Sequence, residues 1–299
     1  MSYFKLYQEG ILAKRIARLK AMLSPCRLCP RECGAKRLEG ETGQCGAGEH
    51  VHISGYGPHF GEEPPLVGRG GSGTIFFAYC SLHCVFCQNF DTSRGYRSRR
   101  ISIKTLAEIM LELEARGCEN INFVTPTHFI AQIIEALQLA AERGFRLPLV
   151  YNTSGYERIE TLKLLDGIID IYMPDIKYAE EKQAATYSQI KHYPDIAKAA
   201  LKEMQRQVGD LVVNEEGIAQ KGLLIRHLVM PENIAGTTEL MKFIAEEISP
   251  RAAINIMDQY YPTYQAHNYP EINRRITAKE YQNALTAARR ASSQFRLFA

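Results

Sequence analysis

Six apolar runs, separated mostly by stretches of helical period, constrain this chain more than any other feature. They occupy residues 74–79, 120–124, 147–151, 168–173, 222–230 and 253–257. Near-continuous apolar character is the mark of strands buried on both faces. Helical patterns fall at 103–116, 129–143, 158–165, 195–207 and 238–247, and a last one at 278–290 closes the chain. This alternation implies an α/β fold with a parallel sheet covered on both sides. Right-handed crossovers would curl the sheet into a partial (β/α)6 barrel, with functional groups at the C-terminal ends of its strands. Residues 211–213 with Gly217 read as an inserted strand and turn before the fifth main strand.

The chain has 299 residues, of which 45% are hydrophobic and 23% charged. That suits one large domain with a small appendage. The expected division is an N-terminal amphipathic helix within 1–25, a cysteine-rich metal-binding segment with a Gly/Pro linker over 26–73, and a core over 74–299. A net charge of +3 is too near neutral to argue for a nucleic-acid partner. No apolar run is long enough to cross a membrane, and the N-terminus lacks the pattern of a secretory signal. The reading is therefore a cytoplasmic protein, whose eight clustered cysteines favour metal ligands over disulfides.

Three of those cysteines, Cys80, Cys84 and Cys87, directly follow the first strand at C-x3-C-x2-C spacing. Three thiolates on a short loop can hold three corners of a four-iron cluster and leave the fourth iron open. A structural zinc site, or three unrelated buried thiols, are the alternatives; zinc wants four ligands, and His83 sits awkwardly between two of the cysteines. Upstream, Cys26, Cys29, Cys33 and Cys45 stand at C-x2-C-x3-C-x11-C among glycines. They read as a second metal site with all four ligands supplied, and zinc or a second iron–sulfur cluster fits equally.

The C-x3-C-x2-C motif after a first strand, with aromatic Phe86 before its last cysteine, resembles the radical S-adenosylmethionine (SAM) superfamily. The resemblance implies a [4Fe–4S] cluster on Cys80, Cys84 and Cys87, with SAM chelated at the open iron, and Phe86 near the adenine. It also implies reductive cleavage of SAM to a 5′-deoxyadenosyl radical that abstracts hydrogen, with an electron donor such as flavodoxin or ferredoxin. Asn152-Thr-Ser-Gly155 on the third strand and Met173-Pro-Asp-Ile-Lys177 on the fourth resemble the D-T-N-G and M-x-D-x-K segments of pyruvate formate-lyase activating enzymes. There the corresponding groups collect a monovalent cation and the SAM carboxylate, which points to Asn152, Thr153, Asp175 and Lys177. Arg226-His-Leu-Val-Met-Pro231 resembles the relatives' R-x-x-V-x-P.

Arg226 or His227, on opposite faces of that strand, is the one aimed into the barrel. An inward Arg226 would take the carboxylate as a bidentate partner. Gln259 stands where the activases have histidine. The Gly-Gly-Glu segment that receives the SAM amino group is missing; Val124-Thr-Pro-Thr-His128 takes its place, with Thr125 read as a helix cap and His128 facing substrate or water. The four-cysteine segment, V-T-P-T-H and Q-Y-Y-P bring the chain nearest to the uncharacterised branch homologous to those activating enzymes. The implied hydrogen donor is a glycine of a partner protein, with another protein, an RNA or a small molecule as alternatives, and a non-catalytic metal scaffold as the reading outside enzymes.

Residues 50–73, rich in glycine and proline with His50, His52 and His59, lack a phosphate-loop pattern and read as a linker or lid. The basic run 94–100 reads as a solvated charge run, Cys118 as a packed thiol, and 264–275 as a polar-aromatic loop over the site or toward a partner.

Overall fold

The structure is a computed structural model and describes residues 2–298. Two helices open it, α1 (Ser2–Gln8) and α2 (Ile11–Ala21), where one had been expected. The break falls at Gly10, whose φ of 68° is left-handed. Then follow β1 (Val51–His59), α3 (Pro64–Val67), β2 (Ser72–Phe77), α4 (Phe90–Ser93), β3 (Arg99–Ile101), α5 (Ile103–Ala115) and β4 (Ile121–Val124). The middle of the chain gives α6 (Ile130–Glu142), β5 (Leu149–Thr153), α7 (Ile159–Leu164), β6 (Ile171–Pro174), α8 (Glu181–Ser188), α9 (Tyr193–Val208) and β7 (Val212–Val213). The rest is β8 (Ala219–Leu228), α10 (Thr237–Phe243), β9 (Ala253–Met257), α11 (Ala278–Ala291) and β10 (Arg296–Phe298).

The strands lie in the order β10-β9-β8-β6-β5-β4-β2-β1-β3, with β7 attached to β8. Every pair from β2 round to β10 is parallel. The six expected strands are β2, β4, β5, β6, β8 and β9, and they form the open, partial barrel that the apolar rhythm implied. Three strands were not expected. β10 extends one edge in parallel with β9, while β1 pairs antiparallel along β2, and β3 antiparallel to β1. The stretch 50–73 is thus corrected from a linker or lid to a strand and the short helix α3.

Period-two alternation divides the barrel residues cleanly. Phe77, Phe123, Tyr151, Tyr172, Ile225 and Ile254 point outward and are buried under the helices. Val150, Ile171, Met173, Leu224 and Ala253 point inward and close around Leu66 of α3. A leucine from the segment before the first barrel strand therefore fills the barrel's interior. Outside, α2 buries Leu12, Ile16 and Leu19 and lies along α6. A third cluster, containing Leu82, Val85, Phe86, Tyr178, Tyr187 and Tyr260, builds the upper rim around the cysteine loop.

Truncating a fully enclosed leucine removes transfer energy and leaves a void. Leu66→Ala should cost about 2–5 kcal/mol, read from the urea midpoint at constant m-value. A change under ~1 kcal/mol would mean that α3 lies loosely on the barrel rather than inside it.

Candidate functional site

The cysteine loop leaves β2 through Tyr79, whose φ of 73° is left-handed and turns the chain sharply over the strand ends. Backbone bonds from His83 to Ser188 (3.0 Å) and from Val85 to Tyr187 (2.9 Å) stitch the loop to the end of α8. Cys80, Cys84 and Cys87 all line one cavity of about 220 Å³, with Phe86, Thr125, Asn152, Thr153, Asp175, Lys177, Arg226 and Gln259 in the same wall. These eight non-cysteine positions, all candidates in the sequence, thus share one cavity with the three thiols, whereas His128 and His227 do not line it.

Each sulfur has a polar neighbour. Cys80 Sγ accepts from the Leu82 amide (3.4 Å), Cys84 Sγ lies 3.0 Å from Ser188 Oγ, and Cys87 Sγ lies 3.3 Å from Ser93 Oγ. Burial pushes the Cys80 thiol up to about 12 and raises Cys84 as well. These thiols ionise at neutral pH only beside concentrated positive charge, which a bound metal centre supplies. Among the described residues, no group of three or more His, Cys, Asp or Glu side chains is gathered tightly enough for one metal ion. A four-iron cluster, being larger, needs its thiolates further apart, and three cysteines around a cavity suit it.

Opposite the thiols lies a charged clamp. Asp175 Oδ2 accepts from Lys177 Nζ (2.5 Å), and its Oδ1 accepts from Arg226 Nε (2.9 Å). Arg226 Nη2 continues to Asn152 Oδ1 (2.7 Å). Burial alone would raise the Asp175 carboxyl, but Arg226 and then Lys177 outweigh it and hold it below its ordinary value. Arg226 is the inward residue. His227 is the outward one, fixed between the Ile176 carbonyl and Thr237 Oγ1, each at 2.9 Å. Gly155, at φ 76°, closes the third-strand motif: a side chain there would collide with the Asp175 carbonyl.

Two expectations need correction. Thr125 has φ 59° and caps no helix; α6 is entered through a 3₁₀ turn, Thr127–Phe129, so a helix N-terminus is not presented by Thr125. His128 faces neither substrate nor water. It is buried, its Nε2 donates to the Ala78 carbonyl (2.7 Å), and burial lowers it to about 3, so the ring is neutral. Two of the oxygen groups expected around a monovalent cation, Asp175 and Thr153, lie in the cavity wall with side-chain partners of their own. Asp175 already holds two side-chain cations, and the Thr153 hydroxyl donates to Glu157.

Glu157 is the residue that sequence reasoning missed. It accepts from Thr127 (2.5 Å), Thr153 and Tyr151 (3.3 Å), tying the ends of β4 and β5 behind the cavity. Burial pushes its carboxyl up to about 7, against the pull of those three hydroxyls.

Of the N-terminal cysteines, Cys33 and Cys45 converge on Gly43, though the four are not gathered around one point. Cys26 and Cys29 are buried, Cys33 and Cys45 half-buried, and a side-chain carbon at Gly43 would sit 3.4 Å from both the Cys33 and Cys45 sulfurs. Buried Arg37 reaches Cys26 Sγ at 3.9 Å and is held by the Gly48 carbonyl at 2.9 and 2.6 Å. The segment docks on the catalytic-side loop through Arg31, which donates to the Ser81 and Gln189 carbonyls. Of the basic run, Arg94 covers the Tyr264 ring, Arg97 faces Asp91, and Arg99 covers Tyr56. Among the described residues, no helix is long and apolar enough to cross a membrane.

Comparison with known proteins gives three findings. A family model described as the radical SAM superfamily matches residues 74–244. The uncharacterized protein MJ0674 of Methanocaldococcus jannaschii is 32% identical over 291 residues, covering 94% of this chain and 79% of that one. Among solved structures, HydG, a maturase of the [FeFe]-hydrogenase, matches at TM-score 0.50 and 13% identity over 73% of this chain and 49% of that chain. Streptococcus suis SuiB bound to its precursor peptide SuiA matches at 0.48 and 14% over 74% and 46%. The chain spans about half the length of these solved structures.

A buried carboxyl raised above its unfolded value of 4.5 gives stability that is complete below that value and lost as pH rises through about 7. Glu157→Gln cannot ionise. Its stability relative to wild type should therefore improve by on the order of 3 kcal/mol between pH 5 and pH 8, measured by urea unfolding at both. Parallel pH profiles for the two proteins would show that Glu157 is ionised throughout.

Proposed function

The chain belongs to the radical SAM superfamily, and we propose that Cys80, Cys84 and Cys87 hold a [4Fe–4S] cluster beside a SAM site in the shared cavity. The observation that carries this reading is the convergence, in one cavity, of three thiols with polar groups from the ends of β4, β5, β6 and β8. Cys80, Cys84 and Cys87 would hold the cluster, which, reduced by a donor such as flavodoxin or ferredoxin, would supply the electron for reductive cleavage of SAM and so for hydrogen abstraction.

The chain's own residues bind and orient. Lys177 and Arg226 offer positive charge to the SAM carboxylate, with Asp175 fixing the directions of both. Thr125, Asn152, Thr153 and Gln259 supply neutral polar contacts for the amino acid and ribose. Phe86, buried against Tyr260 with ring centroids 5.9 Å apart, gives the adenine an apolar wall and keeps water from the thiols. Cys26, Cys29, Cys33 and Cys45 are read as ligands of a second centre, zinc or iron–sulfur, that staples the N-terminal segment. The hydrogen donor, on the resemblance to activating enzymes, is a glycine of a partner protein.

Anaerobic reconstitution with iron and sulfide, followed by SAM and dithionite, should yield 5′-deoxyadenosine from wild type, and background levels from Cys84→Ala with loss of iron. A reduced cluster whose EPR signal ignores SAM would overturn the SAM site. A glycyl EPR doublet on a candidate partner is the expected mark of the finer reading, and its absence across such partners would remove it.

A further inference from the structure

Beside the cysteine cavity the barrel holds a second chamber, of about 630 Å³. Phe76, Asn152, Arg226, Met257 and Gln259 line both, so the two spaces meet around Arg226. The chamber's polar wall is completed by Asn89, Asn255 and, in the segment that leaves β1 and enters α3, His59, Glu62 and Glu63. That segment spans the open seam of the barrel: Glu63 Oε1 accepts from Asn255 Nδ2 of β9 at 2.9 Å.

Glu63 is only 5% exposed, yet its Oε2 has no hydrogen-bond partner. The Glu62 side chain is 8% exposed, and the ring nitrogen beside it, His59 Nδ1 at 3.2 Å, is out of hydrogen-bond alignment. Asn122, fully buried on the inward face of β4, turns its side chain toward Glu62 and leaves its Oδ1 without a partner. Native proteins seldom bury polar atoms without partners, because each forfeits its hydration for nothing. Charge tells the same story. Three carboxyls, Asp175, Glu62 and Glu63, stand against two basic side chains, and both of those, Lys177 and Arg226, bond directly to Asp175. Burial, the largest effect, raises the Glu62 carboxyl above its ordinary value against the pull of Arg226, and the neighbouring Glu63 adds to the rise, so a cation brought into the chamber would favour its charged form. The two glutamates are left facing a chamber large enough for a small molecule or a side chain, beside Met257, Leu297 and Phe298.

We propose that this chamber is the substrate site, and that Glu62 and Glu63 recognise a positively charged nitrogen, an ammonium or guanidinium, on the molecule that enters the seam. The assignment rests on the radical SAM reading and names its substrate class. The cation anchors at the glutamates while the carbon body lies along Met257 and Phe298, which directs its C–H bonds toward the SAM cavity. The nitrogen belongs either to a small molecule or to a lysine or arginine beside the reacting position of a peptide.

The test is calorimetric titration of the reconstituted holoprotein, with and without SAM. The probes are agmatine and 1,5-diaminopentane against 1,5-pentanediol, and short peptides carrying Lys or Arg against their norleucine counterparts. A charged probe should bind at least about tenfold tighter than its neutral counterpart, and Glu63→Gln should remove about 10- to 100-fold of that. Glu62→Gln serves as a second variant should the first not fold. Preference among the amines places the nitrogen on a small molecule, and preference confined to the peptides places it on a side chain; either supports the proposal. Equal binding of charged and neutral probes, or a preference untouched by both substitutions, overturns it. Wild type that prefers the cation but does not bind SAM would sink the radical reading while leaving the chamber's cation specificity standing.

Discussion

The bond from Asp175 to Arg226 holds the working end of this barrel together. β6 and β8 pair only at Ile171–Gly222 and Tyr172–Leu223 and then diverge. They meet again at a bridge between Asp175 and Arg226, where the Ile176 amide donates to the Arg226 carbonyl and the two side chains bond directly. One strand further, Arg226 reaches Asn152, while Asp175 takes Lys177 on its second oxygen. Four residues from three strands thus form one charged unit. A carboxylate buried with two cations is stable only as a complete set, since removing any member strands the others without water. The clamp therefore serves geometry first: it fixes where two positive charges stand relative to the thiols.

Much of this was legible because a parallel barrel writes itself plainly. Strands buried on both faces must be apolar throughout, and the six runs were found within a few residues of their observed positions. The three missed strands are those for which this rule fails. β1 reads V-H-I-S-G-Y-G-P-H and carries its glycines and Pro58 because its outer half is an edge; β3 covers only Val51–Ile53. β3 and β10 are three residues each, and Arg99, Arg100 and Arg296 on them are exposed, as charged edge strands tend to be. α8, with no strong apolar face, was also missed, though it carries the Tyr187 and Ser188 carbonyls that hold the cysteine loop.

The site divides the same way. Asp175, Lys177 and Arg226 could be placed because alternation along a strand fixes which neighbour points inward. Side-chain direction within the irregular turns could not be read. Thr127 and His128 turn to partners distant in sequence, and Thr153, though it lines the cavity, gives its hydroxyl proton to Glu157. Glu157 was invisible because an acid just before a helix ordinarily looks like a favourable charge at its N-terminus. Glu62 and Glu63, in a polar stretch before Pro64, look like solvated loop acids until the fold carries them across the seam.

The course of residues 51–67 also changes what the homologous region means as a physical object. The matched family region begins at residue 74, but a polypeptide starting there would lack part of its own packing. It would strip β1 from the whole length of β2, empty the space that Leu66 fills, and uncover the side of α6 on which Leu12, Ile16 and Leu19 lie. The matched region of the sequence and the packed unit of the structure have different borders. The segment upstream of the cysteine motif is therefore the inner packing of the barrel itself, and insertions or trims at that junction should be tolerated far less than the loop-like sequence there suggests.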